Sequence, residues 1–338
     1  MDTEFHYWIT GLIALRAGFT NDEAKIIAYS SEFVDENDVS ITVQNQKDGK
    51  DYTNFISQTM NILKPKNELM RIYPIFHFVP GEPDAESAVR KDGKMHLLNT
   101  TPNSENAKSM LNAAFKSTED QRLYRIGIAS HSYADTWAHQ NFVGWYDYFN
   151  NIGLDIKPDI GHADGEHHPD WVCHTWVDNR LVQSEISNRH RFLTAAKRLF
   201  ESYCDYQKTL KNPDRSDNWP DLQNEITDAM GDDYSGSRKR YEDERMIRYR
   251  ELTGLPDFDE KIWFKEAIRT DVNLLPDSDE GLLSNFTLFK DDQFWRDDDR
   301  YEDTDWFRFQ EAVKAHEKYT LKKLKPTFKR MGISLEKS

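Results

Sequence analysis

Cysteine is nearly absent: Cys173 and Cys204 are the only thiols in 338 residues. Two thiols are too few for a disulfide framework and suit a reducing cytoplasm. Long apolar runs are missing as well. No stretch of about 18 apolar residues exists to span a bilayer. The opening MDTEFHYWITGLIALRAGF lacks a basic n-region and is interrupted by Arg16, so it does not read as a signal peptide. Positive charge is scarce: 44 Lys and Arg face 59 Asp and Glu, and −10 of the net −15 falls within residues 1–180. No basic stretch is long enough to track a nucleic-acid backbone. The nearest, GSRKRYEDER at 236–245, turns acidic at once and reads as a solvated helix start. No His-Asp dipeptide occurs, which disfavours the histidine-aspartate phosphohydrolases. No histidine has Glu three residues before it, which disfavours a di-iron carboxylate bundle. There is no internal repeat and no low-complexity tract.

What is present suffices for a globular protein, with 38% hydrophobic and 13% aromatic residues. Apolar spacing predicts a helix over 3–17 that stops at Gly18, and Thr20 with Glu23 predicts a capping box for a second helix through about Val34. Residues 39–45 and 71–79 are rich in β-branched and aromatic side chains and read as extended. Ser104–Lys116 reads as helical, and Thr118 with Gln121 as the cap of a long helix over 119–140. Residues 151–169 form a loop dense in Gly, Asp and His. Further helices are expected at about 170–180, 185–212, 220–230, 237–253, 259–270 and 304–331. The fold class is therefore all-α, mainly helical. Composition changes near 180, dividing a metal-binding core (1–180) from a charged, aromatic-containing helical extension (181–338), packed on it or forming a small second domain. The acidic stretch DDQFWRDDDRYEDTDWF lacks the EF-hand glycine and terminal Glu and reads as solvated surface.

Nine of the 11 histidines fall in the first 174 residues. In HSYADTWAH, His131, Asp135 and His139 are spaced four and four, which places two imidazoles and a carboxylate along one helix face. His131 and His139 would stand roughly 12 Å apart along the axis, too far for one ion to bind both. A multinuclear site bridged by Asp135 follows if both are ligands. His174 and Asp178 repeat the four-residue spacing. His96, His190 and His316 read as surface or hydrogen-bonded histidines, and Cys173 as a core thiol.

Ordered along the chain, these residues give a resemblance. His6 in FHYWI, Asp35 in AYSSEFVDEN, His77 in IFHFVPG, the central His131, Asp135 and His139 followed by Asn141-Phe142, and finally His174 with Asp178 match the sequence of ligands in the zinc-dependent phospholipase C and single-strand-specific nuclease superfamily. The similarity covers roughly residues 1–180. The chain also resembles an uncharacterised bacterial family opening MDTEFHY. The superfamily resemblance implies a helical bundle around two or three zinc ions, with manganese or iron also accepted by His/Asp donors. It implies that Asp35, His77, His131 and Asp135 hold one ion, His139, His174 and Asp178 a second, and His6 with Asp135 a third. It also implies that Asp35 doubles as general base.

The chain departs from the family in four ways. Its central spacing is four and four, where four and six is usual. The stretch from His139 to His174 is longer, and its GHADGEHHPD offers His162, Asp164 and His168 as further candidates. No arginine follows Asp35 where nuclease members contact phosphate. Secreted members chelate through a processed terminal amine, whereas here Asp2, four residues before His6, is the favoured donor. The resulting expectation is a cytoplasmic, metal-dependent phosphoric ester hydrolase of the phospholipase C kind, with Asp35 and Asp135 catalytic. Its substrate would be a phosphoester small molecule or lipid headgroup, with no extended nucleic-acid surface. The alternative is a non-catalytic, metal-stabilised binding or assembly module.

Overall fold

The computed structural model describes residues 1–59, 61, 64, 66–153, 159–210, 217–236, 241–271 and 292–335. Parts of the expected helices at 185–212 and 237–253, of the loop at 151–169 and of the basic run at 236–245 therefore lie outside the described residues. The chain is mainly helical. In order come α1 (Thr10–Arg16), α2 (Asn21–Glu36), the short α3 (Lys66–Leu69), α4 (Glu105–Phe115), α5 (Glu119–Ala138), α6 (Asn188–Thr209), α7 (Trp219–Met230), α8 (Glu242–Thr253), α9 (Ile262–Ala267) and α10 (Asp305–Arg330). Short strands punctuate them: β1 (Thr42–Gln44), β2 (Asp51–Thr53), β3 (Tyr146–Asp147), β4 (Asp159–Ile160), β5 (Thr175–Val177), β6 (Glu185–Ser187), β7 (Ile268–Asp271) and β8 (Asp292–Trp295). One sheet has the order β2-β1-β8-β7, with Gln44 paired to Phe294 in parallel, and β3-β4 and β5-β6 form separate ribbons. No helix among the described residues is long and apolar enough to cross a membrane.

The helix starts follow local chemistry. Thr20 accepts from the Glu23 amide while the Glu23 carboxylate accepts from the Thr20 amide, so the capping box closes α2 at its N-terminus. Ser104 caps α4 through the Ala107 amide. Thr118 makes no side-chain cap, contrary to expectation, and α5 ends at Ala138 with His139 as its C-cap residue.

Several segments depart from the sequence reading, among them Ile268–Asp271 and Glu185–Ser187, which fall in expected helices and form strands β7 and β6 by pairing with β8 and β5. Residues 71–79 are not extended, because Tyr73–His77 form a π-helical turn with Pro74 at its start. Proline's missing N–H costs nothing there, and tertiary packing overrides the β-branched composition. Residues 170–180 are not helical either, since β5 runs through them and pairs with β6 from Thr175↔Ser187 to Val177↔Glu185.

Helix α5 is the centre of the molecule, with α2, α4, α6 and α10 packed around it. Every residue from Tyr124 to Ala138 is buried, although this segment contains Arg125, His131 and Asp135. Polar groups buried on all sides need partners, so the same packing that makes α5 central also gathers ligands toward it. The approach of α2 depends on Gly127. A Cβ there would lie 2.5 Å from both the Ile27 carbonyl and the Ser30 side chain. One main core draws on both parts of the chain: Phe5 meets Phe192 edge-on, and Phe33 meets Phe309 at 4.9 Å. Residues after 181 thus help build the core that carries the site.

Candidate metal centre

Asp135 projects from the last turns of α5 and is 1% exposed. Four imidazoles surround its carboxylate. His6 Nε2 lies 3.1 Å from Oδ1, His131 Nε2 3.2 Å from Oδ2, and His77 Nδ1 and His139 Nδ1 each 3.5 Å from Oδ2. Asp35, at the end of α2, adds an oxygen 3.5 Å from His77 Nδ1 and 3.7 Å from His131 Nε2. The 12 Å estimate for His131 and His139 holds along an ideal helix, but His139 has left it. As the C-cap residue, its ring turns back toward Asp135.

Four of the rings are oriented by backbone carbonyls, which can only accept. His131 Nδ1 donates to Ser31 O (2.8 Å), His77 Nε2 to Ser57 O (2.9 Å), His139 Nδ1 to His77 O (2.7 Å) and His162 Nδ1 to Glu166 O (2.7 Å). The remaining nitrogen of each ring is left to face a carboxylate. This outer-sphere arrangement is the usual way a protein fixes the tautomer of a metal-ligating histidine. His6 and His77 both lie in π-helical turns, Glu4–Ile9 and Tyr73–His77, a geometry often found at functional sites.

Electrostatics reinforce the cluster. Burial would raise the Asp135 pKa, but His139, the Met1 amine, His131 and His6 hold it well below the carboxylate range. Burial pushes His6 down to about 3, helped by His131 and the amine. Among the described residues, donor atoms within 4.8 Å of one another form three sets, the first two sharing His131: His6, Asp35 and His131; His77, His131 and Asp135; and His139, His162 and Asp170. A cavity of about 390 Å³ opens beside them, lined by residues that include Asp35, Asp170, Glu32, Glu36 and Trp171.

Residues 1–324 match the family described as "Family of unknown function (DUF6765)". The chain belongs to that family. No curated protein and no solved structure matches it.

The structure thus brings together His6, Asp35, His77, His131, Asp135 and His139. It does not bring His174 and Asp178 to them. Asp178 is buried in an ion pair with Arg180, Nη2 to Oδ2 at 2.6 Å. His174 Nε2 faces His168 Nδ1 at 2.8 Å, and the two rings stack. The reason is the strand between them. Four residues on a helix rise about 6 Å and return to one face, whereas in an extended segment they span about 13 Å.

Asp170 takes the vacated place, with Oδ1 3.2 Å from His139 Nε2 and Oδ2 3.3 Å from His162 Nε2. His162 therefore joins the centre, His168 does not, and the Asp164 side chain lies outside the described residues. Asp170 closes the same GHADGEHHPD segment, eight residues after His162, but in a loop such a spacing does not say which residues face each other. Only the fold of the loop reveals it. His316 is not at the surface: it is fully buried against Phe76, and burial pushes its pKa down to about 3.

At the terminus, the Met1 amine lies closer to the carboxylates of the centre than Asp2 does. The Met1 amine is buried against Asp135 Oδ1 and lies 3.3 Å from Asp170 Oδ1. Asp2 instead accepts the Glu4 amide with Oδ1 (3.2 Å) and lines the cavity. Burial would lower the amine's pKa, yet Asp135, Asp170 and Asp35 raise it to about 11. An ammonium group thus sits where the carboxylates most attract a cation, and an ion that takes its place must first displace its proton before the nitrogen can coordinate. Extending the chain by a few residues before Met1 converts this amine to an amide and should lower bound metal by at least one ion per chain. Asp2→Ala should leave it unchanged; the opposite pattern, measured by elemental analysis, would return the role to Asp2.

Proposed function

We propose that this protein is a metal-dependent phosphoric ester hydrolase, a phospholipase C-like helical bundle acting in the cytoplasm with two or three divalent cations, zinc foremost. The observation that carries this reading is the set of four imidazoles, each anchored by a carbonyl and turned toward Asp135, Asp35 or Asp170. The donor chemistry fits: nitrogen and carboxylate oxygen suit zinc, and manganese or iron as well. Asp135 Oδ2 is buried without a hydrogen-bond partner among the described residues, a costly state that a coordinated ion at the carboxylate would relieve. His6, Asp35, His77, His131, Asp135, His139, His162 and Asp170 would hold the ions.

When bound, such ions supply the Lewis acidity that makes water reactive near neutral pH and offsets charge on a phosphoryl group. The chain supplies the rest. Asp135 sets the charge at the centre, and the carbonyls of Ser31, Ser57, His77 and Glu166 hold the rings in register. Asp35, 28% exposed at the mouth, is placed to take a proton from attacking water. No Lys or Arg lines the cavity among the described residues, while Asp2, Glu32 and Glu36 do. A nucleic-acid backbone finds no row of basic side chains to track there, which favours a small phosphoester or headgroup.

Elemental analysis of the purified protein should find two or three divalent ions per chain. Chelation should abolish hydrolysis of bis(p-nitrophenyl) phosphate or p-nitrophenylphosphorylcholine, and zinc or manganese should restore it. A metal-loaded protein inert toward both, with its ions needed only for thermal stability, would favour the non-catalytic module instead.

A further inference from the structure

The second half of α10 carries charge of the opposite sign to the rest of the molecule. Lys318, Lys322, Lys325 and Lys329 are exposed and spaced four, three and four, so they share one face about 60° wide and about 16 Å long. The ion pairs involving this helix among the described residues, Lys314 with Glu311, Glu317 with Arg71 and Arg308 with Asp303, use none of the four. Beside this face runs a cleft of about 670 Å³, lined by Lys322, Lys325 and Lys329 and by Leu321, Phe328 and Ile333. Phe328 and Leu324 belong to a small second core against which Trp145 also packs, and Tyr148, three residues further on, is 61% exposed.

We propose that this face docks the protein on a bilayer surface rich in anionic lipid, with the lysines against headgroups and the cleft at the headgroup–acyl boundary. The combination of features selects this occupant. A single anion would engage one or two of the lysines, whereas a plane of headgroups meets all four. A nucleic-acid backbone would use the lysines and leave the cleft idle, whereas a basic helix face beside a cleft edged by Leu321 and Ile333 meets both layers of an interface. With a net charge of −15 the remaining surface is repelled by the same lipids, so docking would have one orientation. The inference stands on charge and shape at α10 and is independent of the metal centre.

The test is co-sedimentation of the full chain with phosphatidylcholine vesicles, with and without one-third phosphatidylglycerol. Binding should require the anionic lipid and fall with added salt. Each surface lysine contributes about fivefold, so Lys322→Glu/Lys325→Glu/Lys329→Glu should weaken binding by at least about a hundredfold. The corresponding Gln triple should weaken it less, and Lys25→Glu/Lys197→Glu should leave it unchanged, all with unaltered melting curves. Equal binding to neutral vesicles, or a Glu triple that binds like the parent, would overturn the proposal. So would saturable binding of monomeric dodecyl phosphate, or of an oligonucleotide, without vesicle binding.

Discussion

Asp135→Asn should lose bound metal and, with it, phosphoester hydrolysis. The side chain is fully enclosed, and the Met1 amine, His6, His77, His131 and His139 all lie within 3.5 Å of its oxygens. Asparagine keeps the shape but removes the charge and turns an N–H₂ group toward one of these donors. Even the loss of an outer hydrogen-bond partner costs 10–100-fold in metal affinity, so loss of the central carboxylate should cost at least about 100-fold. Two companions sharpen the result. Asp170→Asn should also lose metal, because its oxygens face His139 and His162. Asp178→Asn should destabilise the protein by breaking a buried ion pair yet leave the metal content of the folded fraction unchanged. Metal loss in the Asp178 variant, with the Asp170 variant unaffected, would reverse the assignment of the second carboxylate. Full activity and metal in the Asp135 variant would defeat the hydrolase reading. His316→Ala should destabilise the protein without touching the centre, since it would open a cavity in the core.

The second large effect is expected far from any substrate. Arg245 on α8 grips Glu4 with two hydrogen bonds of 2.6 and 2.7 Å, and both side chains are almost wholly buried. Removing one partner of such a pair strands the other charge in a low-dielectric interior, so Arg245→Met should cost about 3–5 kcal/mol by denaturant titration. Glu4 lies two residues before His6 in the same π-helical turn, so metal content should fall as well. Adding Glu4→Met to Arg245→Met should recover most of the stability, because a buried pair replaced by apolar groups is often neutral. No recovery in the double variant would mean that the pair also orders the N-terminal turn in a way packing alone does not reproduce.

Much of the architecture was legible along the chain wherever the controlling forces are local. The box at Thr20 and Glu23 acts within four residues, so α2 and the position of Asp35 at its end follow from the sequence. The spacing of His131 and Asp135 on α5 is equally local. The concentration of histidine in the first half, and the absence of long apolar runs, needed no fold to interpret.

Tertiary structure decided what depends on partners distant in sequence. Pairing of β5 with β6 drew out the segment between His174 and Asp178, and neither member carries a signal that outweighs the helical spacing. Packing placed His6 and His77 in π-helical turns, which have no recognisable sequence period. The loop at 159–170 delivered His162 and Asp170 through turns whose geometry depends on what they pack against. The partner of Glu4 lies 241 residues away, and a buried ion pair of that separation leaves no local pattern. The basic face of α10 is different. Its lysine spacing is written in the sequence, but a helix surface counts as a docking face only once the fold shows which side remains uncovered.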